Sequence, residues 1–380
     1  MEKEYFPRRI PAMVTYLRPF RMVSSTSLEA WSVSIEQINT ASWDYVKLHE
    51  IAGGLDVGLP APYHMLVGRD GALALPPIPE LRTDQKAVEY FNRCLAALLL
   101  GGIYCEDIRL DDFELGSIID WKYIRSRPRT NGMNRFHELI RLRMAAPIVA
   151  IELLSPPTLE FTAIEKAAKV GFSVLYKAKQ LSPELLLKGV SGIARRDWGV
   201  GLSNLWITVE QLTEALWQNE VLMPLRSPKS HIAGRIDQFK DARTWTIANR
   251  HELLHLKNII DDKVLSDLYI ARKARNELSH RGTHPSEESA KAAYGATLAL
   301  LQSVVGPMEI PLSLLNLEDH SLSDPFMPQA LRNITIDTVK YWLEIPKLPG
   351  EAELECEEAK MKTNLMHNLD GSSDRLNEEN

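Results

Sequence analysis

The sequence predicts an α+β amino-terminal domain followed by an all-α helical bundle, and three observations carry that expectation. The first 155 residues or so combine period-two apolar alternation and a glycine-bounded hairpin pattern with one strongly apolar helix. Ser155-Pro156-Pro157 then punctuates the chain as a linker. From about residue 160 to 305, apolar residues recur at three- and four-residue spacing in successive long segments with short joints, the pattern of a bundle.

Taken in order, Trp31, Val33 and Ile35 alternate with Ser32, Ser34 and Glu36, which predicts a half-buried strand. His64 to Leu75 predicts a hairpin, its two arms joined across Gly68-Arg69-Asp70-Gly71, and Pro76 to Pro79 an extended loop. Asp84 is placed to cap a core helix through Val88, Phe91, Cys94, Leu95 and Leu98, which Gly101-Gly102 ends. Ile103 to Cys105 and Gly116 to Ile119 read as strands, followed by an arginine-rich loop and a helix through Phe136, Leu139, Ile140 and Met144. Lys122, Arg125, Arg127, Arg129, Arg135, Arg141 and Arg143 face few acids and interleave with Trp121 and Tyr123, a composition suited to phosphate contact and base stacking.

Beyond the linker, helices are expected over 160–181 and 183–195, with Pro183 in a first turn. Leu202, Leu205, Trp206, Val209, Leu212 and Leu216 define the apolar face of the next. A further helix is expected from Ser230 to Leu256, another from Asp261 to Arg281, and a last one opened by Pro285 and Ser286. The segment 307–350 is proline-interrupted and reads as a brace, with Ile334 to Leu343 its one periodic piece. Residues 351–380 form an acidic tail expected to be disordered or partly helical.

Composition narrows the function classes. The formal net charge of −6 argues against a wholly basic nucleic-acid coat, yet nine acids and three bases in 351–380 account for all of it. The remaining chain is neutral on balance, so local basic patches can still bind phosphate. Cys94, Cys105 and Cys356 are unevenly spaced and form no CxxC, which fits a reducing compartment. The amino terminus has no apolar core of signal-peptide length, and the longest apolar run, Leu95 to Tyr104, is too short to span a bilayer. A cytoplasmic protein without a membrane partner is expected. No GxGxxG, Walker A or GxSxG element occurs, so nucleotide hydrolysis and serine-hydrolase chemistry have no foothold.

The stretch Ala271 to His284 gathers Arg272, Lys273, Arg275, Asn276, His280, Arg281 and His284 at one helix end, while Leu265, Leu268, Ala271, Ala274 and Leu278 keep an apolar stripe. Gly282 stands where a carboxy-terminal cap belongs, which puts His280 in the last turn. Asn276 and His280 are four apart and share a face. Arg275 and His280 are five apart, so an ideal helix turns them roughly 140° away from each other. Either the last turn swings His280 toward Arg275, or two copies of the helix share their residues across a dimer.

Arg275-Asn276-Glu277-Leu278-Ser279-His280 resembles the R-(polar)-x3-H signature of the HEPN superfamily, and Leu202 to Leu212 resembles the first-helix pattern of Apea-like HEPN domains. The resemblance covers about 160–305, the bulk of the segment 158–306. It implies a HEPN-like four-helix domain acting as a metal-independent endoribonuclease, toxin-like or antiviral, with Arg275, Asn276 and His280 as catalytic residues and a composite site in a homodimer. It implies RNA as substrate, no cofactor, and control by an antitoxin or a phage trigger. Arg272, Lys273, Arg281 and the Arg125, Arg127, Arg129 patch are the candidates for holding RNA. A non-catalytic HEPN module binding RNA or a partner is the alternative. The mixed domain 1–155 is then expected to sense or target.

A competing motif is His251-Glu252-Leu253-Leu254-His255, the HExxH of zinc proteases. Two histidines four apart on a helix can hold one Zn²⁺ while the glutamate activates a bound water. Glu277, 22 residues after His255, is the available third ligand. The motif falls late in a helix of an all-helical run with no neighbouring strand, and the plainer expectation is that Leu253, Leu254 and Leu256 face the core while both histidines are surface or hydrogen-bonded residues.

Overall fold

The structure is a computed structural model of the chain and describes residues 8–19, 21–25, 49–127, 158–226, 232–317, 350 and 353–361. It divides into two units, Met1–Met327 and Pro328–Asn380. In the second, residues 353–361 of the acidic tail are helical. The strand expected at Trp31 to Ile35, the helix through Phe136 to Met144, Arg129, the Ser155-Pro156-Pro157 linker and the periodic piece Ile334 to Leu343 lie outside the described residues.

Within the first unit, an antiparallel sheet precedes a helical part. The sheet contains β1 (Arg9–Tyr16), β3 (Ile51–Leu55), β4 (Met65–Gly68), β5 (Ala72–Leu75), β6 (Glu114–Ile119) and β7 (Tyr123–Arg127), in the order β3-β4-β5-β1-β6-β7. Its edges meet: Glu50 bridges Tyr123, the Ile51 N–H donates to the Lys122 carbonyl at 2.9 Å, and the Ile124 N–H to the His49 carbonyl at 2.8 Å. The sheet therefore rolls up and hides its own edge groups, which otherwise invite pairing with another chain. Period-two alternation sorts its side chains. Ala12, Val14, Ala72, Ala74, Ile118 and Ile124 form a small cluster on one face, whereas Met13, Met65, Val67, Leu73 and Leu75 join the main core on the other.

The expected hairpin is present as β4 and β5, with Leu66 opposite Ala74. Two local expectations need correction. Ile103 to Cys105 is buried but forms no strand, because the Ile103 N–H caps the preceding helix by donating to the Leu98 carbonyl at 2.9 Å. The start of the arginine-rich loop is instead strand β7, carrying Arg125 and Arg127. Asp120 and Trp121, at φ 50° and 57°, make the two-residue turn that pairs β7 with β6.

Helix α1 (Asp84–Leu100) is capped one residue earlier than expected, by Thr83, whose hydroxyl accepts from the Lys86 N–H at 3.3 Å. Gly101 and Gly102 end it, Gly102 at φ +93°. The short parallel pair β2 (Met22–Ser24) and β8 (Thr158–Glu160) leads directly into α2 (Phe161–Lys177). Helix α2 crosses α1 at backbone distance: a Cβ on Gly171 would sit 1.8 Å from the Ala97 carbonyl oxygen, and one on Gly101 2.1 Å from that of Ala167. Only glycine allows this approach.

Then come α3 (Pro183–Ala194) and α4 (Trp198–Leu216), the latter running on through a π-helical stretch, Trp217–Leu222. The expected apolar face of α4 is buried throughout, Leu202, Leu205, Val209 and Leu212 completely. The single helix expected from Ser230 to Leu256 is two, α5 (Arg235–Lys240) and α6 (Ile247–Leu256). Asp241 breaks it: its carboxylate accepts from the N–H groups of Arg243 and Thr244 and from the Thr244 hydroxyl, offering the backbone a turn in place of a helix. Thr246 then caps α6. Helices α7 (Asp262–Arg281) and α8 (Glu287–Val305) follow as expected, capped by Asp261 and Ser286. One continuous core contains side chains of the sheet, of α1 and of the later helices alike. Among the described residues no helix is long and apolar enough to cross a membrane.

Candidate active site

Helix α7 buries far less of itself than α8, the helix that follows it. Of its twenty residues only Leu268 and Ala271 are fully buried, with Val264, Leu265 and Ala274 packed beside them. The helix is held by its ends. Asp261 accepts from the Val264 N–H at 2.8 Å, and Gly282, at φ +67°, donates to the Leu278 carbonyl while Thr283 reaches back to that of Glu277. This left-handed cap supplies partners for carbonyls the helix cannot satisfy itself. The last turn stays regular, so His280 does not swing toward Arg275.

The face that remains is a groove of about 610 Å³ lined by Tyr269, Ile270, Arg272, Lys273, Asn276, Glu277, His280 and Arg281. Asn276 and His280 stand together in it, with the cations Arg272, Lys273 and Arg281 around them and Glu277 as the one carboxylate in the lining. The His280 side chain is exposed and makes no hydrogen bond or ion pair with another described residue. Arg275 is half-buried, lies outside the groove, and donates to the Asn276 Oδ1 at 3.3 Å. One chain thus brings together five of the residues picked out on this helix and leaves Arg275 aside. Of the second basic patch, Arg125 is exposed on β7, and Lys122, in the turn before that strand, pairs with Glu50 at 3.7 Å.

Tyr269 is the residue the sequence pattern did not single out. Its ring lies under the Arg272 guanidinium at 4.6 Å, and its hydroxyl donates to Glu252 at 2.8 Å. The signal was available as spacing, since positions 269, 272 or 273, 276 and 280 fall on one helix face. Cation–π contact and hydrogen bond together fix Arg272 over the groove.

This gives the HExxH residues a different use. His251 is buried, its Nε2 2.9 Å from the Thr213 hydroxyl and its ring edge-on to Trp206. Burial, with a smaller contribution from the nearby Arg272 charge, pushes its pKa down to about 4, so it is neutral at pH 7. His255 contacts Asp262 at 2.8 Å, and Glu252 receives Tyr269. The three side chains of the motif thus point to three different partners. No group of three or more His, Cys, Asp or Glu among the described residues is arranged to hold a metal ion, and Glu277 lines the groove instead. Leu254 is buried as expected, but Leu256 is 75% exposed.

No family profile, curated protein or solved structure matches this chain.

Proposed function

We propose that this protein is a metal-independent endoribonuclease of HEPN type whose site is completed by a second copy of the chain. The observation that carries the reading is the open cationic groove in which Asn276 and His280 stand together, with Arg275 turned out of it on the same helix. A straight helix supplies a proton-transfer group and phosphate-binding cations but not the third member of the motif. A second α7 lying against the first supplies it. In this mechanism the ribose 2′-OH attacks the adjacent phosphorus, so the O2′–P bond forms as the P–O5′ bond breaks. His280 takes or gives the proton that these oxygens exchange. Arg275 from the second copy offsets the charge growing on the phosphorane oxygens, and Asn276 orients the phosphate or the imidazole. Arg272, Lys273 and Arg281 hold the RNA backbone. The products are a 2′,3′-cyclic phosphate and a 5′-OH end. By its HEPN resemblance the enzyme is a cytoplasmic toxin-like or antiviral effector, released by loss of an antitoxin or by a phage trigger.

The test is incubation of wild type, His280→Ala and Arg275→Ala with a mixed RNA pool in EDTA, mapping the ends produced. Cyclic-phosphate ends from the wild type and intact RNA from each variant are expected. Mixing the two variants should restore cleavage, because a heterodimer pairs the His280 of one chain with the Arg275 of the other. Cleavage by His280→Ala, or dependence on added divalent metal, sinks the reading.

A second reading is a non-catalytic RNA-binding module. The bond from Arg275 to Asn276 within one chain favours it, since it occupies the two residues with each other. It predicts that RNA is retained on the protein, lost on Arg272→Ala, and never cut.

A further inference from the structure

A second cleft, of about 880 Å³, lies away from α7, between α2 and the wall made by the end of β3 and α1. None of its lining residues comes from α6 or α7. From α2 it takes Glu165, Lys169, Phe172 and Tyr176, which at spacings of four, three and four form one stripe along the helix. Opposite stands the turn Asp56–Gly58, fixed in place: the Gly58 N–H donates to Asp56 Oδ1 at 3.0 Å, and the Tyr90 hydroxyl donates to the Val57 carbonyl at 2.9 Å. The wall is therefore formed before anything binds.

Its charges are unusual. The Arg93 guanidinium stands 5.9 Å from the ring centres of both Tyr90 and Phe172, held by two aromatic rings. Lys179 sits 5.0 Å from the Tyr176 ring. Neither these two cations nor Lys169 forms an ion pair with a described residue, whereas Lys177, on the same stretch, is spent on the Val305 carbonyl at 3.1 Å. Tyr176 is 73% exposed, with Lys179 beside its ring. The ring stands in water beside a cation that no described residue pairs. It offers a flat apolar surface next to anion donors, and the cleft is of ligand size.

We infer that this cleft is a binding site for a free nucleotide. The base stacks on Tyr176 and Phe172, the phosphates meet Arg93, Lys169 and Lys179, and Glu165 accepts from a ribose hydroxyl or an exocyclic amine. Aromatic stacking beside a basic track is the chemistry that holds nucleotides without sequence readout. The inference does not depend on the α7 site being catalytic.

The experiment is calorimetric titration of the full-length chain with the four ribonucleoside triphosphates, with tripolyphosphate, and with the corresponding nucleosides. At least one triphosphate should bind saturably at one site per chain, and at least tenfold more tightly than either tripolyphosphate or its nucleoside. Lys169→Ala and Tyr176→Ala, both at the surface, should each weaken it at least tenfold with unchanged melting temperature, and Arg272→Ala should leave it as in wild type. Three results overturn the inference: no triphosphate binds, tripolyphosphate binds as tightly as the nucleotide, or binding survives both cleft variants. Loss on Arg272→Ala alone would assign the ligand to the α7 groove and overturn it as well.

Discussion

Two pairs of histidine-motif residues, each four positions apart on a helix, lie on neighbouring elements of this molecule, and they meet opposite fates. In His251-x3-His255 each side chain has a partner within the chain: the buried His251 has Thr213, and nearer the surface Glu252 has Tyr269 and His255 has Asp262. In Asn276-x3-His280 the imidazole is exposed and unengaged among described residues, on a groove ringed by cations. Identical spacing along a helix therefore does not determine chemistry. What separates a structural motif from one free to engage a ligand is whether the side chains' hydrogen-bonding capacity is already spent, because a satisfied group has little left to offer.

This contrast can be broken experimentally, and the largest effect falls on the open pair. His280→Ala should lower RNA cleavage by a factor of about 10² to 10⁴, the usual worth of a general acid–base group, and leave the melting temperature unchanged. A stability loss there would mean that the imidazole is structural after all. The closed pair should behave in the reverse way. His251→Ala removes a buried ring from beside Trp206 and strands the Thr213 hydroxyl, at a cost of about 2–4 kcal/mol in denaturant unfolding.

His251 also sets a pH dependence. Its folded pKa of about 4 lies below the unfolded value of 6.5, so the unfolded chain takes up the proton first. The stability it contributes is complete above pH 6.5 and is lost as pH falls toward 4, by at most about 3 kcal/mol. Urea midpoints at pH 7 and pH 4.5 measure it, and His251→Ala should reduce the difference. Smaller still, Tyr269→Phe removes the bond to Glu252 but keeps the ring under Arg272, at a cost of about 1 kcal/mol. If RNA binding falls as well, the closed motif buttresses the open one. Gly282→Ala forces a side chain into left-handed backbone and should cost about 1 kcal/mol, fraying the turn that carries His280.

Much of this was legible in the chain itself, and for local reasons. The helix starts at Asp261 and Ser286, the cap Gly282 and the apolar stripe of α4 announce their helices because each depends on neighbours three or four positions away. Elsewhere a competing local bond or a distant partner decided the outcome. Asp241 turned one expected helix into two through bonds to its own following backbone. The described start of the arginine-rich stretch, Tyr123–Arg127, became strand because it pairs with β6, and the ends of the sheet meet through Glu50 and Tyr123, far apart in sequence. At the site, Asn276 and His280 follow from helical period. The role of Glu252 does not, since its partner Tyr269 lies on another helix.

The crossing of α1 and α2 has a consequence for how this protein can be dissected. Where Gly171 meets the Ala97 carbonyl, main chain rests on main chain, with no side chain between them to yield. A core shared in this way has no seam. Cutting the chain ahead of Phe161 would strip α1 from the bundle and leave bare backbone and the Ile164 and Val174 surface open to water. The amino-terminal half is, in that sense, the bundle's missing wall, and fragments will answer questions about themselves rather than about the intact molecule.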